Sequence, residues 1–282
     1  MNEVFEMKNR VLAIILIISL LAGVLTGCAD KSEKKLIFGV APGPYGDMIK
    51  KAIQPSLENK GYKVEIKEFS DYVQPNLALA NKEIDVNLFQ HTVYLEKFSA
   101  DHNLQLSPVI IVPTAGVGVY SKKFKSLDEI QSGSQVAIPN DPTNLARALR
   151  VLQAAGLLTL KAEIDPTTAS EKDIDQNPKN LKIVTLEAAQ LPRALESTDA
   201  AVINGNFAIS AGIPLSSALV LEKLSEEYKN IVAVRTEDLQ KDFVKDIKEI
   251  VESDAFHQVI EDSQYDFKDF QKPEWYQQKY GK

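Results

Sequence analysis

The stretch IPNDPTNLARAL (138–149) brings together residues that could hold an anion. Asp141 is a good helix N-cap, and Pro142 suits the first helical position, where its missing N–H has no partner to lose. Arg147 falls three and four residues after Asn144 and Thr143 and shares their face, while Leu145, Ala148, Leu149 and Leu152 form an apolar stripe on the other side. A guanidinium beside the free N–H groups of a helix start is good chemistry for a carboxylate. On these residues alone a solvated arginine is the simpler account.

Other polar and aromatic groups fall where strands should end, which is where α/β folds place ligands. These are Asp71 and Tyr72, Phe89 and His91 with Tyr94 one turn on, the run Asn204-Gly205-Asn206-Phe207, and Asn230. Each has an ordinary explanation: a hydrogen-bonded structural histidine, Asn-Gly turn chemistry, aromatics in a core. Taken together they weigh more, because an arginine and two asparagines suit the carboxylate and ammonium of an amino acid, and aromatics suit an apolar side chain. Catalytic signatures are missing: there is no G-x-S-x-G elbow, no Walker lysine loop and no G-x-G-x-x-G. His91, His102 and His257 are scattered without metal-ligand spacing, so neither a metal nor a cofactor is expected. A hydrolase using His91 with a distant carboxylate has nothing positive in its favour.

The elements that must position these residues alternate short strands with helices, the signature of an α/β fold. Strands are expected at 36–40, 62–69, 84–89, 135–138, 181–186, 200–203 and 230–234, and the glycine-punctuated run 108–120 reads as two strands meeting at a turn. Helices should follow from the loop 41–46 through about Asn59, over 75–81, from about Val93, and from Pro142 to about Gly156. The polar segment 162–180 reads as a surface insertion. Two such sets suggest two lobes, 36–120 with 229–282 and 121–228, crossed near 120–123 and again between 212 and 230. The C-terminal helices and aromatic tail should pack back on the first lobe.

Lys8 and Arg10 precede the apolar run 11–22, a secretory signal in outline, which ends in Leu25-Thr26-Gly27 just before Cys28, the only cysteine of the 282 residues. The unbroken run is shorter than the ~20 residues of a bilayer span. An unpaired thiol in an exported protein needs a purpose. This spacing resembles the bacterial lipobox, which implies that residues 1–27 are cleaved and that the Cys28 sulfur carries a lipid. Residues 28–35 then read as a charged tether, and Met7 is an alternative start. The net charge of −7 argues against nucleic acid, which calls for a basic face.

The chain resembles the methionine-binding lipoproteins, the NlpA-type substrate-binding components of ABC importers. The resemblance is carried by FSDYVQPNLALA (69–80), IDVNLFQHTVYL (84–95), YSKKFKSLDEI (120–130), GSQVAIPNDPTNLARAL (133–149), NPKNLKIVTLEAAQLPRAL (177–195) and AAVINGNFA (200–208). It implies a two-lobed periplasmic-binding-protein fold of type II that takes methionine or a close derivative in a cleft between lobes. It also implies partnership with a membrane permease and its ATPase, and a location at the cell membrane facing the periplasm or exterior. By the same resemblance Arg147 grips the ligand carboxylate, Asn204 and Asn230 hold its amino and carboxylate groups, and Tyr72, Phe89, His91 and Tyr94 surround the thioether. Tyr45 in the loop APGPYGD (41–47), Asn144 and Asn206 are further candidates. A surface-anchored enzyme acting on small amino acids or peptides and an adhesin-like lipoprotein are the alternatives.

Overall fold

Charged and apolar residues alternate through Tyr62–Glu68, whereas Val86–His91 carries no exposed residue at all. The first pattern fits the edge of a sheet and the second its middle. A computed structural model, which describes residues 34–165 and 167–281, arranges them so. One five-stranded sheet contains β1 (Lys34–Val40), β2 (Tyr62–Glu68), β3 (Val86–His91), β4 (Leu106–Ile111) and β12 (Asn230–Arg235), in the order β2-β1-β3-β12-β4. A second contains β5 (Gly118–Tyr120), β6 (Gln135–Pro139), β9 (Lys182–Leu186), β10 (Ala200–Ile203) and β11 (Val220–Leu221), in the order β11-β5-β10-β6-β9. The segment expected as a surface insertion contributes a strand to a small antiparallel pair, β7 (Thr159–Leu160) with β8 (Ile174–Gln176). The expected signal peptide and Cys28 lie outside the described residues, and β1 begins at Lys34, two residues before the strand expected at 36.

Each sheet has its own core, which makes this an α/β fold of two lobes. Phe38, Leu88 and Val232 of the first sheet pack with Ile247, Phe256 and Ile260 of the helices Asp242–Val251 and Asp254–Glu261, and with Phe267, Phe270 and Tyr276 of the aromatic tail. In the second, Val136, Ile138 and Val202 meet the whole apolar stripe Leu145, Ala148, Leu149 and Leu152. Helix runs from Tyr45 to Asn59, beginning two residues earlier than expected because Tyr45 and Gly46 leave the loop for its first turn, with a π-helical turn at Ile49–Ile53. Pro55, which has no N–H to donate and crowds the preceding turn, is reason enough for that widening.

One expectation needs correction. The run 108–120 holds two strands, but β4 and β5 belong to different sheets and do not meet at a turn. Tyr120 is therefore inside the second sheet, and the first crossing is at 112–117 rather than 120–123. The return crossing lies between Leu221 and Asn230, within the expected interval. Apolar residues that pass between lobes look like strand in sequence because both lobes bury them: Val112, Ala115 and Val117 are all inaccessible to solvent or nearly so.

Candidate ligand-binding site

The residues expected to act together come from one end of each sheet. β1 and β3 are parallel, as are β6 with β9 and β10, and Tyr45, Tyr94, Asn144, Arg147, Asn204 and Asn206 all follow the carboxyl ends of such strands. Asn230 is instead the first residue of β12, but β12 runs antiparallel to β3 with Asn230 opposite His91, so it reaches the same end. All ten residues singled out from the sequence line a single cavity between the lobes, with Gln90, Ala115, Val117 and Gly205.

A chain of amides sets the polarity of that cavity. Asp141 caps the helix Pro142–Ala154 by accepting from the Asn144 N–H at 3.0 Å, and it also accepts from the Asn144 side-chain amide at 3.0 and 3.2 Å. Asn144 Oδ1 must then point the other way, where it accepts from Asn204 Nδ2 at 2.8 Å and lies 3.4 Å from His91 Nε2. The Tyr94 N–H donates to His91 Nδ1 at 3.1 Å, which leaves the ring proton on Nε2, facing Asn144. Burial holds the His91 pKa well below 6.5, with the Arg147 charge adding to the effect, so the ring is neutral. With its amide nitrogen spent on Asn144, Asn204 presents a buried Oδ1 with no partner among the described residues. A buried acceptor left open is costly, and it is an invitation to a donor.

Arg147 is not solvated: the residue is 4% exposed. Its Nε lies 3.0 Å from both carboxylate oxygens of Glu222, and its Nη2 is 2.6 Å from Oε2. Burial works against the guanidinium charge, but Glu222 more than offsets it and the pKa is raised. The Tyr228 ring, 5.1 Å from both the Arg147 and Arg150 guanidinium carbons and 5.0 Å from the His91 ring, covers this pair.

The opposite wall is aromatic. Tyr72 stands 5.8 Å from Phe89, 5.9 Å from Tyr94 and 5.0 Å from Phe207, ring centre to ring centre. Burial raises the pKa of Tyr45, Tyr72 and Tyr94, so each keeps its proton. The Tyr72 hydroxyl donates to Asn206 Oδ1 at 2.6 Å, and Asn206 Nδ2 donates to the Pro42 carbonyl at 2.9 Å, so Asn206 ties the second lobe to two points of the first. Asn230 Nδ2 donates to the Phe89 carbonyl at 3.0 Å. The Tyr45 hydroxyl accepts from the Ala115 N–H at 3.4 Å, which puts Tyr45 against the first crossing.

Sequence reasoning did not single out Glu222 or Tyr228. Both lie in the charged stretch LEKLSEEYKN (221–230), and no spacing rule connects them to Arg147 far back in the chain. Phe207 was noted beside Asn206 without being given a role.

A family model of the NlpA lipoproteins matches residues 36–275. The chain belongs to the NlpA lipoprotein family. Among relatives of the family, a D-methionine-binding lipoprotein MetQ of Yersinia pestis is 41% identical over 252 residues, covering 85% of this chain and 91% of its own. A nutrient-binding protein of Burkholderia cenocepacia, solved bound to methionine, superposes with a TM-score of 0.77 at 39% identity over 82% of this chain and 96% of that one. A putative methionine-binding lipoprotein of Bacillus subtilis gives 0.78 at 33% identity, over 83% and 96%. The two-lobed α/β architecture is thus the one seen in solved NlpA-type proteins.

Proposed function

We propose that this protein is the lipid-anchored substrate-binding component of an ABC importer, and that it binds methionine or a close derivative between its lobes without transforming it. The observation that carries the reading is the division of the cavity: a buried guanidinium on one side, an unpartnered Asn204 Oδ1 acceptor beside it, and an aromatic wall opposite. A carboxylate, an ammonium group and a thioether match those three surfaces in turn. Sulfur against aromatic rings contributes roughly 0.3–1.5 kcal/mol per contact.

Several further points support a binder over an enzyme. Both nitrogens of His91 are engaged, with Tyr94 and Asn144, and the ring is neutral and buried, so it is a wall and a hydrogen-bonding post. The relatives named above are called methionine-binding or were solved with methionine, and the match extends over most of the chain. The lipobox-like LTGC (25–28) supports anchoring through Cys28, with delivery to a permease and its ATPase at the outer face of the membrane. Mass spectrometry of the small molecule that co-purifies, followed by calorimetry of stripped protein against L-methionine, D-methionine and methionyl dipeptides, tests the reading. Methionine or a derivative should be found and should rebind. No heat from any of them, or turnover of methionine on long incubation, would overturn it.

A further inference from the structure

The carboxylate of Glu222 has no duty in the reading above, yet it is held from two sides. Its oxygens take Nε and Nη2 of Arg147, and Oε2 also accepts from the Val117 N–H at 3.3 Å, on the first crossing between lobes. Its backbone is pinned as well: the Glu222 N–H donates to the Val117 carbonyl at 2.8 Å, and its carbonyl accepts from Gln271 Nε2 at 2.7 Å. Gln271 is itself fixed, pairing through its backbone with Thr114 in both directions and accepting from the Leu224 N–H at 2.7 Å. These contacts hold Glu222 beside Arg147, so an arriving ligand meets a guanidinium that is already paired.

The consequence is a matter of charge. Arg147 is neutralised before any ligand is bound, and the other polar side chains lining the cavity are amides, hydroxyls and a neutral imidazole. A ligand bringing a carboxylate alone adds an uncompensated negative charge close to Glu222, in a site of low polarisability where such a charge is costly. A ligand that also brings an ammonium group leaves the site neutral and fills the open acceptor of Asn204.

We infer that Glu222, clamped between the two interlobe segments and paired with Arg147, is a specificity-determining residue that selects ligands carrying both a carboxylate and a free ammonium group over N-acylated ones. The inference rests on reading the cavity as an amino-acid site. It assigns Arg147 and Glu222 one joint task, in which the arginine attracts the carboxylate and the glutamate makes the ammonium obligatory.

The test is calorimetry on the stripped full-length protein with L-methionine and N-formyl-L-methionine, in wild type, Glu222→Gln and Glu222→Asp. Wild type should prefer methionine by at least about a hundredfold. Glu222→Gln removes the charge and keeps the shape, so the preference should shrink by at least about tenfold, with N-formylmethionine binding more tightly in absolute terms. Glu222→Asp should keep a preference near that of wild type even if both ligands bind more weakly. A purely structural role predicts that both variants weaken both ligands alike, and an unchanged ratio in Glu222→Gln would overturn the inference. Should that variant not fold, equal binding of the two ligands to wild type overturns it as well. Binding of neither ligand to wild type, with D-methionine and methionyl dipeptides equally silent, is the different result that removes the amino-acid reading itself.

Discussion

At the scale of single residues, the cavity is governed by two groups whose charge states are opposite in origin. Arg147 stays charged because Glu222 offsets the penalty of burial; His91 stays neutral because burial, with the Arg147 charge beside it, outweighs its hydrogen bond to Asn144. Truncating Arg147 to alanine should cost roughly 2–5 kcal/mol of methionine binding, part of it from leaving Glu222 unpaired. Calorimetry checks this, and a loss smaller than about tenfold would make Arg147 a structural partner of Glu222 and no more. His91 should appear in the pH dependence of stability. The unfolded chain takes up a proton below about pH 6.5 while the folded ring resists it, so the unfolded state binds more protons. Stability should then fall as pH falls from 6.5 toward the depressed native pKa, by about 1.4 kcal/mol per pH unit from this group. Thermal unfolding at about pH 7.5 and about pH 5.5 should show a smaller acid-induced loss in His91→Gln than in wild type. Equal losses would mean that the ring is protonated in the fold.

Elements carry those residues to their places, and here the sequence is informative in proportion to how local the cause is. The helix Pro142–Ala154 was legible because its cap, its proline and its apolar stripe lie within a few turns of one another. The first crossing was not, since a segment buried by two lobes has the same apolar run as a strand, and only the pairing partners tell them apart. The same limit hid Glu222, whose importance arises from residues distant in sequence. Asp141 belongs to the legible class, but its second task emerges only in three dimensions: it fixes the Asn144 amide and, through it, the direction of Asn204. Asp141→Ala should therefore lose about 1 kcal/mol of stability from the cap, and should weaken ligand binding besides. Asp141→Ser keeps a capping oxygen but not both acceptors of the Asn144 amide, so stability should largely return while affinity does not. Thermal melts and calorimetry on the pair separate the two tasks, and recovery of both together would make the cap the whole story.

For the molecule as a whole, the question is what lets two lobes meet so closely around a small ligand. Gly43, in the loop after β1, lies against Asn206 of the other lobe: a Cβ there would sit 2.7 Å from the Asn206 carbonyl oxygen and 2.8 Å from its Cβ. Asn206 has no room to yield, being held to the Pro42 carbonyl and the Tyr72 hydroxyl. The backbone at Gly43 has φ near +129°, which a side chain also disfavours, but that strain is present whether the lobes are together or apart. The clash exists only when they meet, so Gly43→Ala acts on closure specifically. It should weaken methionine binding by at least about tenfold, and small-angle scattering should show wild type compacting on addition of ligand more than the variant does. A variant that binds and compacts like wild type would mean that this loop moves with the second lobe, and the contact between Gly43 and Asn206 would then not limit how far the lobes close.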